Sequence, residues 1–229
     1  MQRFLAVICL LSLFSAAALA RDWGDYYPLR VGNVLYFDGL KKENNENCKV
    51  RMEVMYKETR DNREYFYLYA PSVDIRYLLR KDAEGVYMQY IKIPFPVISF
   101  IMVEAEMKPE MKFVSFPLQP GAKWSHEGTA TVYLFGFIPI ERKIKAYFKT
   151  TKRETLKTGA GPIDTYCIEV LIDTGDGKGL VKETHWYGMD VGYTAGETVI
   201  YRALLAGRNI ITEEGNSLDS RMEGAEGYR

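Results

Sequence analysis

The stretch 163-IDTYCIEVLIDTGDGKGLVKETHWYGMDVGY-193 decides the fold. Apolar side chains recur at every second position from Tyr166 to Ile172, which is the period of a half-buried β-strand. Residues 174–179 then supply three glycines and an aspartate, which is turn chemistry. The chain returns through a second strand pattern at 180–187, and a glycine-rich corner at 188–193 ends the unit. This stretch therefore predicts an antiparallel hairpin.

Similar strand patterns follow one another along most of the chain. They lie at 34–37, 50–56, 64–69, 73–80, 86–93, 129–135, 140–150 and 198–205. Strands this close together leave no room for crossover helices, so a parallel α/β sheet is excluded. We predict a mainly-β fold, with a single antiparallel, strongly curved sheet or open barrel over residues 21–212.

The two ends of the chain differ from this β-rich region. Residues 1–20 combine Arg3, a short apolar run and the small-x-small sequence Ala18-Leu19-Ala20, which predicts a signal peptide cleaved before Arg21. Ile8 before Cys9 is too bulky for a lipoprotein-processing site, so we expect no lipid anchor there. Residues 213–229 are rich in Glu, Gly, Ser and Asn, and we predict a disordered tail.

Composition limits the class of partner. The chain holds 30 acidic and 30 basic residues, so no polybasic surface argues for nucleic acid or an anionic membrane. No segment after the signal peptide approaches the roughly 18 apolar residues of a transmembrane helix. We therefore expect an exported protein of the bacterial periplasm that does not span a membrane.

Two cysteines, Cys48 and Cys167, remain after removal of the signal peptide. The periplasm permits disulfides, so the two could pair. The alternative is two half-buried thiols on different strands.

A short pattern occurs twice. Pro28-Leu29-Arg30-Val31-Gly32 precedes the first strand, and Pro117-Leu118-Gln119-Pro120-Gly121 precedes the strand that follows Trp124. The two copies could mark two related halves of one sheet. Shared turn chemistry explains them equally well, because Pro and Gly interrupt any β protein.

Residues 94–107 break the alternation, because apolar residues run almost continuously from Val97 to Val103. One interpretation is a strand or short helix buried on both sides. The other is an apolar flap or cavity lining for a hydrophobic ligand or partner.

Aromatic residues make up 14% of the chain, with 17 tyrosines. The strand pattern Tyr65-Phe66-Tyr67-Leu68-Tyr69 is apolar on both faces, which strand propensity alone can explain. A tyrosine-lined concavity would also suit a lipid, a sugar or an extended peptide. The lysines at 143, 145 and 149 alternate with apolar residues and predict a solvated face or a protected sheet edge.

The sequence Asp173-Thr174-Gly175 resembles the catalytic strand of aspartic peptidases. That mechanism needs a second aspartate sharing a proton, and no second Asp-Thr-Gly exists in the chain. A calcium loop starting at Asp173 also fails, because its third and twelfth positions are Gly175 and Thr184.

The histidines give no catalytic or metal motif. His126 and His185 are the only two, and neither lies at a metal-ligand or nucleophile–base spacing. We expect no enzyme activity, no cofactor and no metal site.

Three segments resemble a loose group of exported bacterial β-rich proteins of unknown function. They are Tyr27-Pro28-Leu29-x-x-Gly32-Asn33, Gly161-x-Ile163-Asp164-Thr165-Tyr166, and Trp186-Tyr187 followed by Val191-Gly192. The chain departs from that pattern at Asp190, where a glycine is expected. The resemblance implies a curved antiparallel sheet or partial barrel, akin to periplasmic lipoprotein carriers, and it implies no catalytic residues.

We predict a non-catalytic binding protein whose concave face holds a hydrophobic or amphipathic ligand, such as a lipid or a lipoprotein-like partner. The predicted lining residues are Val97, Phe100, Ile101, Trp124, Tyr133, Phe135 and Trp186. The alternative is a structural or interaction module of an envelope assembly. A hydrolase would require Asp173, His126 or His185 to converge with another polar group in a cleft.

Overall fold

The computed structural model describes residues 26–41, 46–95, 98–134, 138–173, 179–205, 208–211 and 220–226. These residues form 13 strands. Their bounds are β1 Val34–Lys41, β2 Glu46–Arg60, β3 Arg63–Ala70, β4 Ile75–Asp82, β5 Gly85–Phe95, β6 Ile98–Ser115, β7 Lys123–Leu134, β8 Ile138–Thr158, β9 Gly161–Asp173, β10 Gly179–Gly188, β11 Gly192–Leu205, β12 Arg208–Ile211 and β13 Ser220–Glu226.

All strands belong to one antiparallel sheet. Neighbours follow chain order from β10 back to β1, and β13, β11 and β12 continue beyond β1. The sheet curls far enough that β11 also pairs with β10, so the pairing returns to its starting strand. The predicted mainly-β fold with one strongly curved antiparallel sheet is confirmed. Within residues 94–107 the described backbone is strand, since β5 ends at Phe95 and β6 begins at Ile98; the side chains of residues 94–101 lie outside the described part of the chain.

The core lies on the inner face of this curl. In β9, for example, Ile168 and Val170 are buried while Leu171 is 38% exposed, as strand alternation requires. The segment before β1 also enters the core, where the Tyr26 ring meets Tyr166 edge to face.

The two Pro-Leu-x-x-Gly segments form the same turn. Gly32 and Gly121 both have φ of 89°, as the third position of a type II turn requires. In the first copy the Gly32 N–H donates to the Val54 carbonyl, and in the second the Gly121 N–H donates to the Thr150 carbonyl, at 2.8 and 2.7 Å. Both turns bury their leucines, with Leu29 5% and Leu118 0% exposed.

The strands after these turns also correspond. The β2–β3 ladder has a bulge after Val54, and the β8–β9 ladder has one after Thr150, the two residues that bind the turns. A further bulge occurs in β4–β5 at Leu78/Leu79 and in β10–β11 at Trp186/Tyr187. A bulge inserts an extra residue at one defined position of a strand pair, so bulges at equivalent positions indicate equivalent strands. The structure thus favours two related halves, β1–β5 and β7–β11, over chance recurrence of the turn.

The described residues near the C-terminus belong to the sheet. Residues 220–226, within the segment for which the sequence favours disorder, pair as β13 with β1 and β11. This pairing covers the backbone edge that β1 would otherwise expose.

Cys167 is a buried free thiol, so the structure contains no Cys48–Cys167 disulfide. Burial raises its thiol pKa, which lowers the fraction present as the nucleophilic thiolate at neutral pH.

Within the described ranges, the structure shows no helix of the length and apolarity needed to cross a membrane. The predicted signal peptide, residues 1–20, lies outside those ranges.

Candidate functional site

A groove of about 630 Å³ crosses the outer face of the second half of the sheet. This volume falls in the usual range of small-molecule sites. Its lining comes from four adjacent strands, β7 to β10: Lys123, Trp124, Ser125, Tyr147, Phe148, Lys149, Glu169, Val170, Leu171 and Lys182. We call this the outer groove.

Strand register brings these residues together. On the outer face, Lys123 lies opposite Lys149, which in turn lies opposite Glu169. One step along, Tyr147 lies opposite Leu171, and Leu171 lies opposite Lys182. The alternate side chains of these strands, such as Phe148 and Val170, point into the core and are each 2% exposed. The groove therefore presents a charged row beside a second row, in which Tyr147 and Leu171 lie between Ser125 and Lys182.

The apolar part of the groove is open to solvent. Tyr147 is 48% exposed and Leu171 is 38% exposed. Opposite positions on neighbouring strands place Cβ atoms roughly 5 Å apart, so the two side chains form one continuous patch. Such a patch can take an acyl chain or another apolar group.

The cationic part of the groove lacks partners. Among the described residues, no carboxylate lies within 4 Å of the ammonium groups of Lys123, Lys149 or Lys182. Elsewhere on β8, Lys145 lies 3.1 Å from Glu127, and Lys152 lies 2.9 Å from Glu154. The hydrogen bond from Lys145 to Glu127 raises the pKa of that lysine. Lys149, between these two paired lysines on β8, therefore keeps its charge unpaired in the groove.

The inner face is filled by the protein's own aromatic side chains. The Tyr187 ring lies 5.7 Å from that of Tyr27 and 5.8 Å from that of Tyr193. Burial raises the pKa of all three phenols. A cavity of about 30 Å³ beside Tyr27 and Gly192 has the volume of one water molecule. Two of the segments that carry the resemblance, residues 27–33 and Val191-Gly192, meet at this cavity.

A polar chain runs through this aromatic core. The His185 Nε2 lies 3.0 Å from Glu183 Oε2, and its Nδ1 lies 3.3 Å from the Tyr187 hydroxyl. The Phe113 ring packs 5.4 Å from the imidazole. These contacts satisfy both ring nitrogens, which is the arrangement of a structural histidine.

The residues considered for catalysis do not converge. His126 on β7 and His185 on β10 both face the core, with β8 and β9 between them. Asp173 lies on the opposite face, because its neighbour Ile172 packs against the core. Among the described residues, no group of three or more His, Cys, Asp or Glu side chains is placed to hold a metal ion.

His126 predicts a pH effect on stability. Burial lowers its pKa, and its Nε2 has no hydrogen-bond partner among the described residues. Below a pH of about 6.5, the ordinary pKa of histidine, His126 binds a proton in the unfolded chain. In the folded chain, burial disfavours the protonated imidazole. The contribution of His126 to stability therefore falls as pH drops below that value. We expect the urea midpoint to fall more between pH 7.5 and 5.5 in the wild type than in His126→Leu, and equal pH dependence would contradict this.

The described members of the predicted ligand-binding set do not share one face. The Trp124 ring faces the core, stacks on Phe148 at 5.2 Å and donates from Nε1 to the Lys112 carbonyl at 3.0 Å. Tyr133 follows core-packed Val132 and so faces outward.

The other members add no common cavity. Trp186 also faces outward, where its Nε1 donates to Glu154 Oε1 at 2.7 Å. The side chains of Phe100 and Ile101, and the whole of Val97 and Phe135, lie outside the described part of the chain. Of the described members, Trp124 is the one that also lines the outer groove, although its ring packs against the core.

No family model and no curated protein matches the chain. A solved structure of a provisionally named lipoprotein from Parabacteroides distasonis is similar at 16% identity and a TM-score of 0.49, covering 88% of this chain and 98% of that one. A provisionally named exported protein with a YmcC-like fold from Bacteroides fragilis has 12% identity and a TM-score of 0.48, with the same coverage.

Proposed function

We propose that this chain is an exported, non-catalytic binding protein of the bacterial periplasm that holds an amphipathic ligand in the outer groove. The observation that carries the proposal is the pairing of two chemistries in one concavity. A row containing Lys123 and Lys149 runs beside a solvent-exposed apolar patch formed by Tyr147 and Leu171. The signal-peptide pattern of residues 1–20 supports export.

The inner face is a poorer candidate for the ligand. Tyr27, Tyr187 and Tyr193 already occupy it, and the cavity beside them has the volume of a single water. An acyl chain would have to displace these rings, whereas the outer groove is open without any rearrangement. The proposed ligand therefore lies on the outer face of the sheet. A carrier that encloses its lipid would instead bind it on the inner face.

Native mass spectrometry of the mature protein purified from periplasm tests this proposal. We expect a bound amphiphile, identified by lipid analysis after denaturing extraction. The double variant Tyr147→Ser/Leu171→Ser should lose occupancy about ten-fold, because it removes the apolar patch. The control Tyr36→Ser changes a tyrosine that is 44% exposed on β1, outside the groove, and should keep the ligand. A clean apo mass, or equal loading of all three proteins, would contradict the proposal.

A second candidate is docking of an envelope partner on the first half of the sheet. Tyr36, Met55 and Tyr56 are 44–47% exposed there, and the Tyr56 ring stacks on Tyr67 at 4.9 Å. Covalent crosslinking in cells followed by mass spectrometry separates the two functions. A partner captured through Tyr36 or Tyr56, with no bound amphiphile, would favour the docking module.

A further inference from the structure

We infer that the outer groove selects a lipid with an anionic headgroup, held by Lys123, Lys149 and Lys182. This inference rests on the proposed function and adds the charge and the binding residues of the ligand. Three lysines and one glutamate line the groove, which leaves it net positive. The chain as a whole is electrically balanced, so this positive site is local.

The register of β7 and β8 carries the argument. Lys123 and Lys149 are directly opposite each other on the outer face, and like charges at such positions destabilise a sheet. Glu169 is opposite Lys149 on the other side but lies beyond 4 Å from its ammonium. A bound phosphate would accept charge-assisted hydrogen bonds from both lysines and remove their repulsion.

The first half of the sheet provides an internal comparison. When the two halves of the sheet are aligned on their Pro-Leu-x-x-Gly turns, Lys123 corresponds to Val34 and Lys149 corresponds to Glu53. Val34 and Glu53 also lie opposite each other on neighbouring strands. There the residue aligned with Tyr147 is Arg51, which forms an ion pair with Glu53. At these aligned positions the first half pairs its charges, whereas the second half leaves Lys123 and Lys149 without an ion pair and puts Tyr147 beside them.

The third lysine extends the cationic site across the apolar patch. Lys182 on β10 lies opposite Leu171, at the far side of the patch from Tyr147. An anionic headgroup between Lys123 and Lys149 therefore leaves the lipid's apolar part over Tyr147 and Leu171, while Lys182 closes the other side. A free phosphate would use the lysines and leave the apolar patch uncovered.

Calorimetric titration of the full mature protein with two single-chain lipids tests this inference. Lysophosphatidylglycerol is anionic, lysophosphatidylcholine is zwitterionic, and both can carry the same acyl chain below micellar concentration. We expect the anionic lipid to bind about ten-fold more tightly at low salt, with a smaller difference at high salt. Lys149→Gln should abolish this preference without lowering the urea midpoint.

Lys143→Gln is the matched control, because Lys143 is an exposed lysine of the same strand, about 20 Å along it from Lys149. It should keep the preference. Equal affinity for the two lipids would overturn the inference and leave the proposed function intact, whereas binding of neither lipid would overturn both. Inorganic phosphate binding as tightly as the anionic lipid would also overturn the inference, since the site would then serve a free anion.

Discussion

The Tyr187→Ala variant is expected to lose about 4 kcal/mol of unfolding free energy, the largest effect we predict for a single substitution. The Tyr187 side chain is fully buried, and its ring contacts those of Tyr27, Phe113 and Tyr193. Removing it leaves a cavity bordered by rigid aromatic groups that cannot collapse into the space. Urea denaturation followed by circular dichroism measures the loss.

Two variants separate the contributions of the ring and the hydroxyl. Tyr187→Phe keeps the ring and removes the contact with His185 Nδ1, so it should cost only about 1 kcal/mol. Tyr147→Ala makes the same truncation at a side chain that is 48% exposed, and it should cost less than about 1 kcal/mol. If Tyr187→Ala costs no more than Tyr147→Ala, the inner face is not packed as the structure shows.

The second large effect is expected at the corner between β4 and β5. A Cβ added at Gly85 would lie 2.1 Å from the carbonyl oxygen of Val114, which is backbone and cannot rotate away. Gly85→Ala must therefore push β5 from β6 and should lower the unfolding free energy by about 3 kcal/mol. The same urea titration measures it.

Gly121→Ala is the control for this prediction. A Cβ at Gly121 would meet nothing within 4 Å, so its cost comes only from the positive φ of the turn, about 1–2 kcal/mol. An equal loss in the two variants would show that backbone conformation, and not the contact with Val114, sets the cost at Gly85.

The strands were predictable because alternation is a local property. Along β9, the pattern from Tyr166 to Ile172 predicts which side chains enter the core, and Ile168 and Val170 are buried. The strand Tyr65–Tyr69 was harder, since it is apolar on both faces. The structure places Phe66 and Leu68 on the core side and stacks Tyr67 on Tyr56 outside. Only the partner strands decide which aromatic side chains face the core.

The outer groove could not be predicted in the same way. Lys123, Lys149 and Lys182 lie on three strands, and they come together only because β7 to β10 pair in one register. Viewed along β8 alone, Lys149 belongs to a row of alternating lysines typical of a solvated face. What distinguishes it from Lys145 is the missing carboxylate partner, which the sequence does not show.

The two halves of the sheet were only partly predictable. The Pro-Leu-x-x-Gly recurrence was visible, but the evidence that separates duplication from shared turn chemistry is three-dimensional. It consists of the paired hydrogen bonds to Val54 and Thr150 and of the bulges that follow them. The halves differ where function is proposed, since Val34 and Glu53 stand where Lys123 and Lys149 line the groove.

The most direct test of the central claim locates the ligand on the protein without any substitution. Backbone amide spectra of the mature protein are recorded by NMR with a spin-labelled single-chain anionic lipid and again after the label is reduced. We predict selective broadening of amides around the groove, at Ser125, Tyr147 and Leu171, with those of Tyr36 and Arg51 in the first half unaffected. Broadening centred on Tyr27 and Tyr193, or spread evenly over the sheet, would contradict a ligand site in the outer groove.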